Sequence, residues 1–100
     1  MLNINKTIEN GTAIVALEGR LDTVTAPELE QALKEPLESA GELTLDLENL
    51  EYISSAGLRV LLSTQKKMTA KQGTMKLVHV KEIVMEVLEV TGFCEILTIE

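Results

Sequence analysis

Aromatic and basic side chains are scarce in this sequence. Among 100 residues there are one Tyr, one Phe and no Trp, so stacking platforms for nucleic-acid bases are not expected. Only 9 Lys and Arg stand against 16 Asp and Glu, which gives a net charge of −7. A protein that neutralises phosphates needs the opposite balance, and we therefore expect no nucleic-acid partner.

Cysteines and long apolar runs are also missing. The single cysteine, Cys94, cannot form an internal disulfide, and a lone cysteine is typical of a reducing compartment. No segment reaches 18 consecutive apolar residues, and the N-terminal residues lack the basic start and apolar core of a signal peptide. These absences predict a cytoplasmic protein that does not enter a membrane.

The side chains needed for most enzyme chemistries are absent too. The one histidine, His79, alternates with Val78 and Val80 in a predicted strand, and nothing nearby sets up a Ser-His-Asp triad. There is no Cys/His cluster with metal-ligand spacing and no glycine-rich phosphate loop. We therefore expect no catalysis, no metal and no cofactor.

What the sequence does have is a regular alternation of apolar segments. Apolar residues make up 45%, enough for one domain over residues 1–100. Asn10-Gly11 is a strong β-hairpin signal between strands predicted at residues 2–5 and 13–19. The second strand is nearly continuous in apolar residues, as expected for a strand that is central or covered on both faces. Alternating leucines predict a half-buried strand at residues 42–50.

Helix signals separate these strands. Thr25 and Glu28 form a capping-box pattern at the start of the first helix. Pro36 should kink or end this helix, or begin a second short one. A later helix should start near Gly57, with five residues on its inner face: Leu58, Leu61, Leu62, Gln65 and Met68.

The C-terminal third completes the pattern. A strand over residues 74–80 precedes a third helix that Gly92 closes, and residues 95–100 form a last strand or an extended tail. The order β-β-α-β-α-β-α-β predicts a small α/β domain. Its mixed β-sheet should have four to five strands, with the helices mainly on one face.

The segment EYISSAGLRVLL, residues 51–62, is the most specific in the chain. Two serines stand between a predicted strand and a leucine-rich helix. Serine is a favoured N-cap, and one of the two hydroxyls is sufficient for that role. A loop between two rigid elements is exposed, and a helix N-terminus favours negative charge. The pair is therefore either only a cap or a cap with a modification site beside it.

This segment resembles the phosphorylation loop and following helix of the STAS-domain anti-sigma factor antagonists. GRLDTVTAPEL, residues 19–29, is similar to the family's Gly-x-Leu-Asp segment, and LTLDLENLEYISSAGL, residues 43–58, to its central strand and loop. VLEVTGFCEILTI, residues 87–99, is similar to the family's closing helix, glycine turn and tail. The resemblance covers nearly the whole chain, in order.

The resemblance implies a partner-switching mechanism without catalysis or a cofactor. The unphosphorylated antagonist binds an anti-sigma factor that is also a serine kinase of the histidine-kinase-like ATPase type, and this releases the sigma factor. The kinase phosphorylates the loop serine and so ends binding. A PP2C-type phosphatase restores the antagonist.

The resemblance also assigns residues. Family members read Asp-Ser-Ser-Gly or Asp-Ser-Thr-Gly, with the hydroxyl residue after Asp phosphorylated. Counting back from Gly57 makes Ser55 the phosphoacceptor and leaves Ser54, the less favoured acceptor, in the family's Asp position. Asp22 should lie near this loop, where it either forms part of the partner surface or stabilises a turn. The expected partner surface is Asp22, Ser54, Ser55, Ala56 and Gly57.

Two alternatives remain at this point. The same fold could serve as a non-switching STAS scaffold module in a larger signalling or transport complex, with Ser55 never modified. A phosphocarrier would instead need an exposed active histidine near a helix start, whereas His79 is predicted in a strand.

Overall fold

The computed structural model describes residues 1–100. Its elements in chain order are the strands β1 and β2, the helices α1 and α2, strand β3, helix α3, strand β4, helix α4 and a short 3₁₀ turn. Their bounds are β1 Leu2–Glu9, β2 Thr12–Leu21, α1 Ala26–Ala32, α2 Lys34–Ser39, β3 Glu42–Ile53, α3 Ser55–Ala70, β4 Thr74–Val78, α4 Glu82–Thr91 and the 3₁₀ turn Phe93–Glu95.

The four strands form one mixed sheet in the order β1-β2-β3-β4. β1 and β2 are antiparallel, whereas β2 with β3 and β3 with β4 are parallel. The predicted α/β class and the mixed sheet are confirmed. The C-terminal residues form a tail with one parallel bridge, between Leu77 and Ile99, and not a full fifth strand.

The predicted hairpin turn is confirmed at Asn10 and Gly11, which have φ angles of 51° and 81°. β1 is longer than predicted because all eight of its residues pair with β2. β2 is central, but only one of its faces is covered. Its buried residues alternate with exposed or half-buried ones, and Ile14 is 46% exposed. The apolar run therefore reflects the central position and not cover on both faces.

The core is a single cluster of 23 buried residues, dominated by leucine. Along β2, β3 and β4 most buried positions alternate with exposed or half-buried ones, so the sheet buries one face against the helices. This confirms that the helices lie mainly on one face.

Pro36 lies in the first turn of α2. Of the outcomes predicted for this proline, the start of a second short helix is the one observed.

Helix α3 begins two residues earlier than Gly57 and is rotated slightly from the predicted orientation. Leu58, Leu61 and Met68 are buried as expected, but Leu62 and Gln65 are only partly buried. The inner face also includes residues that the apolar stripe did not predict: Gly57, Val60 and Thr64. Thr64 is accommodated because its hydroxyl donates to the Val60 carbonyl at 2.7 Å.

His79 lies just beyond β4 and not within a strand, which corrects the predicted alternation. Its φ angle is 56°, in the left-handed region. Its Nδ1 lies 3.1 Å from Oδ1 of Asp46, on the neighbouring strand. At the other end of α4, Gly92 has a φ angle of 80° and closes the helix as predicted. None of the helices is long and apolar enough to cross a membrane.

Candidate functional site

The junction between β3 and α3 separates the two serines by role. Ser54 is the N-cap of α3, with extended φ and ψ angles of −100° and 175°, and its Oγ accepts from the Gly57 amide at 3.4 Å. Its carbonyl accepts from the Leu58 amide at 3.0 Å. Ser54 is half-buried in this position. One serine therefore performs the capping that the sequence suggested.

Ser55 is the first residue of α3, and its side chain is exposed. Its hydroxyl forms no hydrogen bond within the chain. The first turn of a helix presents unpaired amides and the positive end of the macrodipole, so negative charge is favourable there. A phosphate on this hydroxyl would be compatible with the fold.

Gly57 packs closely against the ends of β2 and β3. A Cβ atom at this position would lie 2.6 Å from Leu21 Cγ and 3.0 Å from Ile53 Cγ1. Gly57 is buried, so its part in the predicted site is to bring the start of α3 against the ends of β2 and β3. Ala56, next to it, is half-buried at the surface.

A backbone hydrogen bond joins the serine loop to the loop after β2. The Ser54 amide donates to the Leu21 carbonyl at 2.9 Å. This contact follows from the pairing of Leu21 with Ile53 at the ends of two parallel strands. It places Asp22, the next residue, beside the serine loop, as the sequence predicted.

Asp22 organises its own loop. Its Oδ1 accepts from the Val24 and Thr25 amides, both at 3.0 Å, and the Thr25 hydroxyl lies 3.1 Å away. The Thr25 amide is the main reason that the pKa of Asp22 is lowered from its ordinary value, against a smaller opposing effect of burial. The turn-stabilising role predicted as one alternative is thus present.

The predicted capping box at Thr25 is wrong. The Thr25 side chain forms no cap hydrogen bond. Its Oγ1 accepts from the Asp22 amide at 2.8 Å and donates to the Arg20 carbonyl at 2.8 Å. In a capping box the Glu28 side chain would accept from the Thr25 amide, but here that amide donates to the Asp22 carboxylate at 3.0 Å.

Arg20 and Tyr52 flank the site, and sequence reasoning missed both. The Arg20 guanidinium lies over the Tyr52 ring, 4.3 Å from its centroid, and its Nε is 3.8 Å from Asp22 Oδ2. The two residues pair across parallel strands, one position before the last residues of β2 and β3. The available signal was that Arg20 and Tyr52 lie equally far before Asp22 and Ser54, the first residues of the two loops.

A groove between α1 and α3 connects the two loops to the helix surfaces. Its volume is about 330 Å³. Residues from the loop after β2, from α1 and from the first three turns of α3 line it: Thr23, Ala26, Pro27, Glu30, Ala56, Arg59, Val60 and Ser63. Asp22 and the serines therefore border one continuous surface.

A second polar cluster lies away from this surface. The carboxylates of Asp46 and Glu48 and the imidazole of His79 bring their ligand atoms within 4.8 Å of one another. Asp46 and Glu48 are neighbours on β3, but His79 lies 33 positions after Asp46, so spacing did not reveal the cluster. Oδ1 of Asp46 accepts from the Glu48 amide at 3.0 Å and lies 3.1 Å from His79 Nδ1, so this oxygen has two partners within the chain.

These features define a class: a small α/β domain with an exposed, unbonded serine at the first position of a helix, beside an aspartate-ordered loop. The model of the STAS domain family matches residues 3–100. The chain belongs to this family, as its sequence suggested.

Individual relatives agree with this assignment. The chain is 39% identical over 88 residues to BtrV of Bordetella bronchiseptica, named as a candidate anti-sigma factor antagonist; the match covers 87% of this chain and 76% of BtrV. It is 30% identical over 98 residues to the anti-sigma-B factor antagonist of Staphylococcus aureus, covering 96% and 90% of the two chains.

A solved structure has the same fold. The crystal structure of an anti-sigma factor antagonist from Mycobacterium paratuberculosis superposes with a TM-score of 0.88 at 27% identity. The match covers 99% of this chain and 85% of that one.

Proposed function

We propose that this protein is an anti-sigma factor antagonist that works by partner switching. Its unphosphorylated form binds an anti-sigma factor that is also a serine kinase of the histidine-kinase-like ATPase type, and this releases the sigma factor. Phosphorylation of Ser55 ends binding, and a PP2C-type phosphatase reverses it. The names of the relatives support the antagonist role.

The observation that carries the proposal is the different use of the two serines. The Ser54 hydroxyl is occupied as the cap of α3, whereas the Ser55 hydroxyl is exposed and unbonded. A kinase can therefore reach Ser55 without opening the helix. In the transfer, Ser55 Oγ attacks the γ-phosphorus of ATP, the bond to the β-phosphate oxygen breaks, ADP leaves and the hydroxyl proton is lost.

The effect of the phosphate should be on binding and not on folding. It adds about −1.5 to −2 charges at pH 7. Within the free protein this charge lies at the positive end of a helix. Against a bound partner it would be buried, and the loss of hydration of a doubly charged group is strongly unfavourable. The partner surface is formed by Asp22, Ser54, Ser55 and Ala56, with Gly57 beneath it.

The direct test is phosphorylation by the cognate kinase with ATP, followed by phosphopeptide mapping. One phosphate should be incorporated, on Ser55. Ser55→Ala should abolish labelling, because it removes the proposed acceptor hydroxyl, whereas Ser54→Ala should retain labelling. The two variants make the same chemical change at adjacent positions, so Ser54→Ala is the control for Ser55→Ala. Labelling of Ser54 alone would overturn the assignment. Stable kinase binding without any labelling would favour the non-switching scaffold.

A further inference from the structure

Helix α3 differs in charge from the rest of the molecule. It carries three of the nine basic residues, Arg59, Lys66 and Lys67, and none of the 16 acidic ones. All three basic side chains are exposed. A protein with a net charge of −7 therefore presents one positively charged surface.

These three cations have no counter-charge within the chain. The four ion pairs of the structure involve other residues. Lys66 and Lys67 are near the C-terminal end of the helix, where the macrodipole favours positive charge. Arg59 lies near the N-terminal end, where it does not. The helix macrodipole thus gives no account of Arg59.

The positions of these residues place them in line with the proposed phosphoacceptor. Residues four apart on a helix lie on the same face, so Ser55, Arg59 and Ser63 form one row, which Lys66 and Ala70 continue. A shallow surface depression joins the basic residues to their neighbours. Its lining is Arg59, Leu62, Ser63, Lys66, Lys67 and Ala70, and this surface is called here the basic face of α3.

We propose that the basic face of α3 docks an acidic segment of the anti-sigma factor, an inference that rests on the proposed function. A partner that covers Ser55 and extends along α3 meets Arg59 after one turn. Arg59 and Ser63 also line the groove between α1 and α3, so the basic face is continuous with the surface around Asp22. Charge complementarity selects an acidic segment as the occupant.

A nucleic acid fits this surface less well. Its binding requires the neutralisation of several phosphates, and the net charge of −7 repels an extended polyanion. Glu30 also lines the adjoining groove. A short acidic protein segment needs only the three cations that α3 provides.

The same arrangement gives the phosphate a second effect. A phosphate on Ser55 lies one helical turn from Arg59, in the orientation of anion before cation that favours pairing on a helix. It therefore competes with the partner's acidic segment for Arg59 and also repels that segment. The unphosphorylated state leaves Arg59 free for the partner.

Charge reversal tests this docking. Binding of the purified, nucleotide-loaded anti-sigma factor kinase from the same organism is measured by titration calorimetry at about 50 and about 300 mM NaCl. The test variant is Arg59→Glu with Lys66→Glu. The control, Lys76→Glu with Lys81→Glu, changes the net charge equally but at β4 and the start of α4. Thermal melts verify that both variants fold.

The test variant should bind the kinase at least about tenfold more weakly than wild type at low salt. At high salt the two affinities should differ less, because salt screens the charges. The control should remain within about threefold of wild type. If the test and control variants lose equal affinity for the kinase, only net charge matters and the docking proposal is overturned. Wild-type affinity in the test variant would also overturn the docking proposal, but the proposed function would stand. If wild type itself neither binds the kinase nor becomes phosphorylated, the proposed function fails instead.

Discussion

Gly57 lies so close to Leu21 that a Cβ atom at position 57 would come within 2.6 Å of Leu21 Cγ. Leu21 is fully buried at the end of β2, and Gly57 is in the first turn of α3. The absence of one methyl group thus sets how near the serine loop lies to the loop of Asp22.

Gly57→Ala should destabilise the protein. Alanine gains about 0.8–1.0 kcal/mol in helix propensity, but overpacking of a dense core costs about 1–3 kcal/mol. We expect the overpacking to dominate, because the contact is with the branch point of a buried leucine and not with a mobile chain end. Chemical denaturation would measure the loss in free energy of unfolding.

The control for this change is Gly41→Ala. A Cβ atom at Gly41 would have no neighbour within 4 Å, and the position has no positive φ angle. Its free energy of unfolding should therefore remain within about 0.5 kcal/mol of wild type. A stable Gly57→Ala variant would mean that the start of α3 can move away from β2 at little cost.

Two adjacent leucines on α3 should differ strongly in their contribution to stability. Leu61 is fully buried, and Leu61→Ala should cost about 2–5 kcal/mol, of the size seen for leucine truncation in other cores. Leu62 is only partly buried on the basic face, and Leu62→Ala should cost about 1 kcal/mol or less. Urea denaturation of both variants checks the orientation of the helix; equal losses would contradict it.

The difference between these leucines shows where sequence reasoning was sufficient. Apolar periodicity predicts the order of strands and helices, and turn and cap residues predict the hairpin at Asn10 and the end of α4 at Gly92. Apolar character alone could not orient α3, because Leu62 is as apolar as Leu61. Thr64 is buried only because its hydroxyl finds a backbone partner inside the helix.

The candidate site was predictable to a similar extent. The position of the serine pair between a strand and a helix indicates a cap, and the resemblance implies Ser55 as the phosphoacceptor, but spacing cannot say which hydroxyl caps the helix. The contacts of Arg20 with Tyr52 and of Asp46 with His79 join residues more than 30 positions apart. Such contacts depend on strand register, which β-bulges shift between β2 and β3.

Asp22 should make stability depend on pH in the acid range. Its folded-state pKa is lowered, so the unfolded chain binds its proton more readily than the folded one. The stabilisation is therefore complete above the unfolded pKa of about 3.9 and is lost as the pH falls through the lower folded value. Thermal melts from about pH 7 to about pH 3 would follow this loss.

Substitutions isolate the contribution of Asp22. The difference in melting temperature between wild type and Asp22→Ala should be constant near neutral pH and should shrink below about pH 4. Asp22→Asn keeps an oxygen acceptor for the Thr25 amide but has no charge to titrate. It should thus retain part of the stability with no corresponding pH dependence. A difference between wild type and Asp22→Ala that is as large at about pH 3 as at about pH 7 would contradict this role.

Substitutions of the two serines should have different effects: a change at Ser54 should mainly lower stability, and a charge at Ser55 should mainly weaken kinase binding. Ser54→Ala removes the N-cap of α3 and should cost about 0.5–1 kcal/mol, at the lower end of the usual range because the cap hydrogen bond is 3.4 Å long.

Ser55→Asp should leave the melting temperature nearly unchanged, since the added charge lies at the helix N-terminus. It should nevertheless weaken kinase binding by at least about 100-fold, a conservative figure because Asp has less charge than phosphate. Ser54→Ala changes the partner surface without adding a charge, so it should weaken kinase binding much less than Ser55→Asp does. Titration calorimetry and thermal melts on the same samples test both halves. If Ser55→Asp binds as well as wild type, charge exclusion is wrong; if it unfolds, Ser55 has a structural role that its exposed, unbonded hydroxyl does not explain.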